Sequence, residues 1–100
     1  MKKKESEEIF ANFELMQNYP NPFNPTTTIK YRVPHENVNS FATATLQLKV
    51  FDILGREVAT LVKEKQSPGI YEVVFDGSNF SSGVYFYRLE SSNFIQTKKL

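Results

Sequence analysis

Residues 45–58 read Thr-Leu-Gln-Leu-Lys-Val-Phe-Asp-Ile-Leu-Gly-Arg-Glu-Val, and this stretch decides the fold class. Leu46, Leu48 and Val50 alternate with Gln47 and Lys49, the period-two pattern of a strand with one buried face. Asp52-Ile53-Leu54-Gly55 then places Asp first and Gly fourth, which suits a type I turn followed by a left-handed glycine. The chain therefore returns at once as a partner strand over Glu57–Glu64. Val58, Thr60 and Val62 are expected on one of its faces and Ala59, Leu61 and Lys63 on the other. A tight hairpin of this kind predicts an antiparallel sheet.

Working outward, Thr27–Val33 shows the same alternation. Ile29, Tyr31 and Val33 lie on one side, Thr28, Lys30 and Arg32 on the other, and Pro34 ends the run. Residues 35–43 form a polar loop, and Phe13–Met16 offers a short first strand with Phe13 and Leu15 on one face. Downstream, Gln66-Ser67-Pro68-Gly69 is a turn, and Tyr71, Val73 and Phe75 alternate inward up to Asp76-Gly77. Val84–Ser91 and Phe94–Lys99 complete the set, joined at Ser92-Asn93. About seven short strands without a helix predict an all-β, immunoglobulin-like antiparallel β-sandwich of Greek-key type. Ser82-Gly83-Val84-Tyr85-Phe86-Tyr87 has the form of a tyrosine corner, with Tyr85, Tyr87 and Leu89 directed inward.

Ahead of these strands stands Asn18-Tyr19-Pro20-Asn21-Pro22-Phe23-Asn24-Pro25. Each proline denies the α region to its predecessor, so Tyr19, Asn21 and Asn24 are pushed toward extended geometry. A flexible linker is built from Gly, Ser and charge, whereas this one carries two large rings. The expectation is an ordered entry segment whose Tyr19 and Phe23 are both anchored on the sandwich.

Composition narrows the function. One hundred residues with a formal net charge of +1 make one domain, with no field strong enough to attract nucleic acid or an anionic membrane. There is no Cys, hence no disulfide and no thiolate site. No apolar run approaches the roughly 18–20 residues that span a bilayer. Met1-Lys2-Lys3-Lys4 resembles a signal peptide's basic start, but Glu5, Ser6, Glu7 and Glu8 occupy the place of its apolar segment. Residues 1–12 are expected to be a disordered leader or linker, and residues 13–100 the folded domain. On this reading the chain as written has no route of its own out of the cytoplasm.

Catalytic chemistry has few candidates. The one His, His35, sits in a polar loop without a nucleophile elbow and reads as a solvated side chain. Asp52 and Asp76 occupy turn positions that explain them through bonds to the backbone. Clustered metal ligands and a phosphate-cradling Gly-rich loop are missing, so no metal and no cofactor are expected. Tyr85, Phe86 and Tyr87 lack the basic groove that a nucleic-acid stacking platform requires. The expectation is a non-enzymatic domain.

With the strands placed, the chain from about Phe13 to Leu100 closely resembles the C-terminal sorting domain of the type IX secretion system of Bacteroidetes and their relatives. The matching residues are Leu15 through Thr27, then Ile29-Lys30-Tyr31 and Val50 through Val58. Pro68-Gly69-Ile70-Tyr71, Ser82 through Leu89 and the terminal Lys98-Lys99-Leu100 complete the pattern.

The resemblance implies a sorting signal carried at the C-terminus of a passenger that reaches the periplasm by a separate signal. The outer-membrane translocon recognises such a folded domain. A sortase-like protease then commonly removes it, leaving the passenger at the cell surface or released. The resemblance points to Gly83, Val84, Tyr85, Arg88, Lys98, Lys99 and Leu100 for recognition. Cleavage is expected in the leader before the entry motif Tyr19, Pro20, Asn21, Pro22, Phe23, Asn24 and Pro25. Without a passenger or an export signal, the chain reads as an excised domain or a truncated product. Alternation turns Arg88 outward and leaves Lys98–Leu100 at a free end beside a sheet edge. The alternative from a different class is an immunoglobulin-like accessory module that binds glycan or protein at the cell surface. Exposed edges also allow a dimer by edge-strand pairing or swapping.

Overall fold

The computed structural model describes residues 12–35 and 42–100. Its strands are β1 (Glu14–Leu15), β2 (Thr26–Val33), β3 (Ala44–Asp52), β4 (Glu57–Gln66), β5 (Gly69–Asp76), β6 (Tyr85–Ser91) and β7 (Phe94–Lys99). The leader expected over residues 1–12 falls, apart from Asn12, outside the described residues, as do positions 36–41 of the polar loop.

Two antiparallel sheets form, in the orders β1-β2-β5 and β4-β3-β6-β7. The chain passes between them after β2, again after β4 and again after β5, while β1–β2, β3–β4 and β6–β7 stay within a layer as hairpin neighbours. That interleaving is the Greek-key, immunoglobulin-like sandwich expected from the strand count. The predicted inward positions meet in its middle. Leu15, Ile29, Tyr31, Val33 and Phe75 come from one sheet, and Leu46, Leu48, Val50, Tyr85, Tyr87 and Leu89 from the other, all buried. Each buried Leu, Ile or Val contributes about 1.5–3 kcal/mol relative to exposure.

Two of the buried rings also join elements through their polar tips. The Tyr31 hydroxyl donates to Gln66 Oε1 at 2.5 Å, and the Tyr87 hydroxyl donates to the Met16 carbonyl at 2.6 Å. A phenol buried without such a partner would lose its hydration uncompensated. Burial still disfavours the ionised form of both, and their pKa values are pushed up to about 12.

The deciding hairpin closes as read. Gly55 donates to the Asp52 carbonyl at 3.0 Å and has φ +83°, the left-handed conformation that Gly adopts without a Cβ clash. Asp52 Oδ1 accepts from the amides of Leu54 and Arg56, each at 2.9 Å, and Oδ2 from Arg56 Nε at 2.7 Å. The alternation expected along β4 fails. Register shifts between Leu48 and Lys49 and between Val50 and Phe51 set Val62 opposite Leu48 and Ala59 opposite Val50. Each bulge adds a residue on β4 and reverses the phase. Ala59, Leu61 and Val62 therefore pack against the core, while Val58 and Thr60 are exposed.

Candidate recognition surface

The tyrosine corner fixes one end of the sandwich. The Tyr85 hydroxyl donates to the Ser81 carbonyl at 2.8 Å, four residues upstream, clasping the loop that contains Gly83. Gly83 has φ +154° and open space where a Cβ would stand, so backbone geometry rather than crowding selects glycine there. Tyr85 is buried in a ring cluster: its centroid lies 5.8 Å from that of Phe80 and 6.2 Å from that of Phe23. Phe75 completes the cluster, 5.7 Å from Phe23 and 5.4 Å from Phe80. Such tilted and edge-on contacts suit the ring quadrupoles.

The C-terminus docks on the same end. The Leu100 amide donates to the Tyr85 carbonyl at 2.9 Å, and Leu100 is only 6% exposed. Lys98–Leu100 is thus no free end, because Leu100 continues the inward-facing row of β7 into the core. Lys98 stands opposite Tyr87 on that inner row and is half-buried, whereas Lys99 is exposed. Arg88 lies on the outer face, as alternation predicted. It is pinned there, with its guanidinium 4.2 Å from the Phe51 ring centroid and Nε paired with Glu90. Val84 is half-buried.

Backbone direction along β7 follows from these bonds. In an antiparallel ladder the N–H and C=O of one residue point to the same side, and alternate residues point to opposite sides. Leu100 bonds toward β6, so Lys99, Thr97 and Ile95 turn their backbone groups away from it. The Lys99 carbonyl does accept a bond from that outer side, from Gln17 Nε2 at 2.9 Å. No further strand pairs with β7 among the described residues, though β1 lies beside it.

The proline segment joins the same assembly, with one correction. Phe23 is anchored as expected, against Phe75 and Tyr85. A Cβ on Gly77 would fall 2.6 Å from the Phe23 ring, so this ring needs a glycine beneath it. Tyr19 is not anchored: its ring is 80% exposed, and only its backbone is held, in a bridge to Thr28. Successive side chains of an extended segment point to opposite faces, and Asn18 takes the inward one. Buried Asn18 donates to the Pro20 carbonyl at 3.1 Å and to Thr27 Oγ1 at 3.0 Å, and Thr27 Oγ1 donates to the Pro20 carbonyl at 2.8 Å. Pro20, Asn21, Pro22, Asn24 and Pro25 form the exposed course between these anchors, and all three X-Pro bonds are cis.

The structure therefore gathers Phe23, Tyr85 and Leu100 at one end with Lys99 close by, and leaves Arg88 on the outer sheet face. Gln17, Asn18, Gln96 and Gly77 escape sequence reading. Gln96 Oε1 accepts from the Leu15 amide at 3.2 Å, tying β7 to β1. An Asn or Gln carries no signal for such long-range roles. Asp52 and Asp76 serve turns as expected: Asp76 Oδ1 accepts from the Ser78 amide at 2.9 Å. Hydrogen bonds from the Arg56 backbone to Asp52, and from the Ser78 backbone to Asp76, hold both carboxyls below the usual range. His35, expected in solvent, is half-buried, on a groove at the far end of the sandwich beside Phe13 and Phe94.

Comparison with known protein families gives a match over most of the chain. The family described as the secretion system C-terminal sorting domain matches residues 17–100. No curated protein and no solved structure matches the chain. The match begins at Gln17, the residue that reaches the Lys99 carbonyl, and runs through the corner and Leu100. The chain belongs to the type IX secretion C-terminal sorting domain family, whose members are sorting signals rather than enzymes.

Proposed function

We propose that the outer-membrane translocon of the type IX system recognises this domain in its folded form, and does so at the stretch of the β7 edge around Ile95 and Thr97. The passenger is joined on the N-terminal side, crosses from the periplasm to the cell surface, and is separated from the domain by a sortase-like protease. The observation that carries this reading is the outward row of backbone groups at Ile95 and Thr97. Both residues are exposed, on a strand with no second hydrogen-bonded strand among the described residues, although β1 and Gln17 lie close beside it. Such an edge adds an incoming strand through main-chain bonds, with exposed side chains setting specificity. Lys99 supplies an exposed cation beside it.

Gly83, Val84, Tyr85 and Leu100 act in this reading by holding the C-terminal end in place. Arg88 contributes an outer-face cation, and Lys98, half-buried on the inner row of an edge strand, discourages pairing between copies. In this reading the domain spans residues 13–100, a boundary supported by the stacking of Phe13 on Phe94 at 5.3 Å and the burial of Leu15. Cleavage before Phe13 leaves both contacts intact.

The test is Thr97→Pro against Thr97→Ala in a passenger fusion directed to the periplasm. Proline deletes one outward N–H and leaves the β6 ladder untouched. Surface delivery is expected to fall at least about tenfold with Thr97→Pro and to persist with Thr97→Ala, with circular dichroism unchanged in both. Export of Thr97→Pro at the wild-type level contradicts recognition through this edge.

A further inference from the structure

Four strands end a sheet: β1, β5, β4 and β7. Two of them are guarded, and β7 is partly covered. β1 has two residues, and β4 carries two bulges and the charged run Lys63-Glu64-Lys65. On β7, Gln17 covers the Lys99 carbonyl and leaves the stretch at Ile95 and Thr97 open. Strand β5 has neither bulge, lysine nor internal proline, and it pairs with β2 in unbroken register from Gly69 to Asp76. Long, flat, apolar edges of this kind are what proteins ordinarily avoid leaving open.

Two bonds fix which backbone groups face outward on β5. Gly77 donates to the Pro25 carbonyl at 2.8 Å, so Gly77 and every second residue before it turn toward β2. Thr28 donates to the Tyr19 carbonyl at 2.8 Å, turning its backbone away from β5, and Val74 opposite it turns away in the same manner. The outward row is therefore Ile70, Glu72, Val74 and Asp76. Ile70 is 56% and Val74 66% exposed.

We propose that this edge pairs with β5 of a second copy of the chain, antiparallel about a two-fold axis at Val73. Apolar and acidic residues alternate along the outward row, and such a row reversed complements itself. Ile70 meets Asp76 of the second copy and Glu72 meets its Val74, with the reciprocal pairs across the axis. Each acid then faces an apolar side chain, and Glu72 keeps its ion pair with Lys30 at 3.5 Å. An axis at Glu72 opposes two glutamates, and an axis at Val74 opposes Glu72 to Asp76 twice; like charges directly opposite destabilise a sheet. On the inner face the Val73 axis sets Val73 against Val73 and Tyr71 against Phe75, extending the apolar layer across the junction. The pairing leaves the β7 edge open, so it is independent of the recognition reading above.

The full chain, which contains no cysteine, allows a direct test with Glu72→Cys, Val73→Cys and Val74→Cys. Residues facing each other on the axis in a non-hydrogen-bonded pair have Cα atoms about 4.5 Å apart, within disulfide reach. Sedimentation velocity is expected to show a monomer–dimer equilibrium into the hundreds of micromolar. Val73→Cys is expected to form disulfide-linked dimer at least about tenfold faster than the other two. Val74→Pro, which deletes an outward N–H only, is expected to be monomeric with an unchanged circular dichroism spectrum. A chain monomeric throughout, a dimer that survives Val74→Pro, or faster cross-linking at 72 or 74 overturns the proposal.

Discussion

Gln17 Nε2 donates to the carbonyl of Lys99 at 2.9 Å, joining residues 82 positions apart, and also to Asn18 Oδ1 at 2.7 Å. One amide group thus ties the buried polar knot of the entry segment to the last strand. The start and the end of the sorting domain form one structural unit, and its energetics follow from how deeply each member is buried.

Asn18 is the buried member, so its removal is the costlier. Asn18→Ala leaves a void and loses its bonds to Pro20 and Thr27, and is expected to destabilise by about 2–3 kcal/mol. Gln17→Ala removes an exposed bond and is expected to cost about 0.5–1 kcal/mol. Urea denaturation measures both. An Asn18→Ala value no larger than that of Gln17→Ala would show that the knot is not structural.

Gly77→Ala is expected to destabilise by about 1–3 kcal/mol, because its Cβ would stand 2.6 Å from the Phe23 ring. Pairing it with Phe23→Leu, which withdraws the ring edge, should recover part of that loss in a double-mutant cycle. Strict additivity of the two substitutions would rule out the contact as the cause.

Tyr31 and Tyr87 are pushed up to about 12 by burial, from the ordinary value near 10. A folded-state pKa above the unfolded one gives stability that is complete below about pH 10 and lost as pH rises toward 12. Ultraviolet titration should therefore show Tyr31 and Tyr87 ionising late, together with unfolding. Ionisation of Tyr31 and Tyr87 near pH 10 with the protein still folded would contradict the buried placement.

Asp52 behaves oppositely. Backbone bonding from Arg56 lowers its folded pKa, so its contribution is present above about pH 4 and lost as pH falls through the lowered value. Asp52→Asn should lower the melting temperature at neutral pH, with the gap to wild type closing in acid. A gap that is constant with pH would argue against the carboxylate as the turn's acceptor.

The β-strands were legible because their chemistry is local. Phe94–Lys99 appears with its predicted bounds, and Leu46, Leu48 and Val50 point inward as their spacing required. The Asp52–Gly55 turn was equally readable, since Asp and Gly select its geometry within four residues. Strand β4 misled because a bulge is decided by pairing with β3, which its own alternation cannot reveal. Tyr19 misled for a related reason: its size suggested an anchor, but the bridge to Thr28 turns Asn18 inward instead. Leu100 looked like a free end in sequence and is core in space. The recognition surface was legible only as a set of motifs. Its geometry rests on Gln17, Gln96 and Gly77, whose partners lie far along the chain.

The central claim, that the folded domain is itself sufficient as an export signal, has a direct measurement. Residues 13–100 are fused behind a periplasm-directed reporter in a bacterium with the type IX machinery, and reporter on the intact cell surface is quantified. The account predicts surface delivery that disappears when the translocon is deleted. Reporter retained in the periplasm, or delivered equally without the translocon, would contradict it.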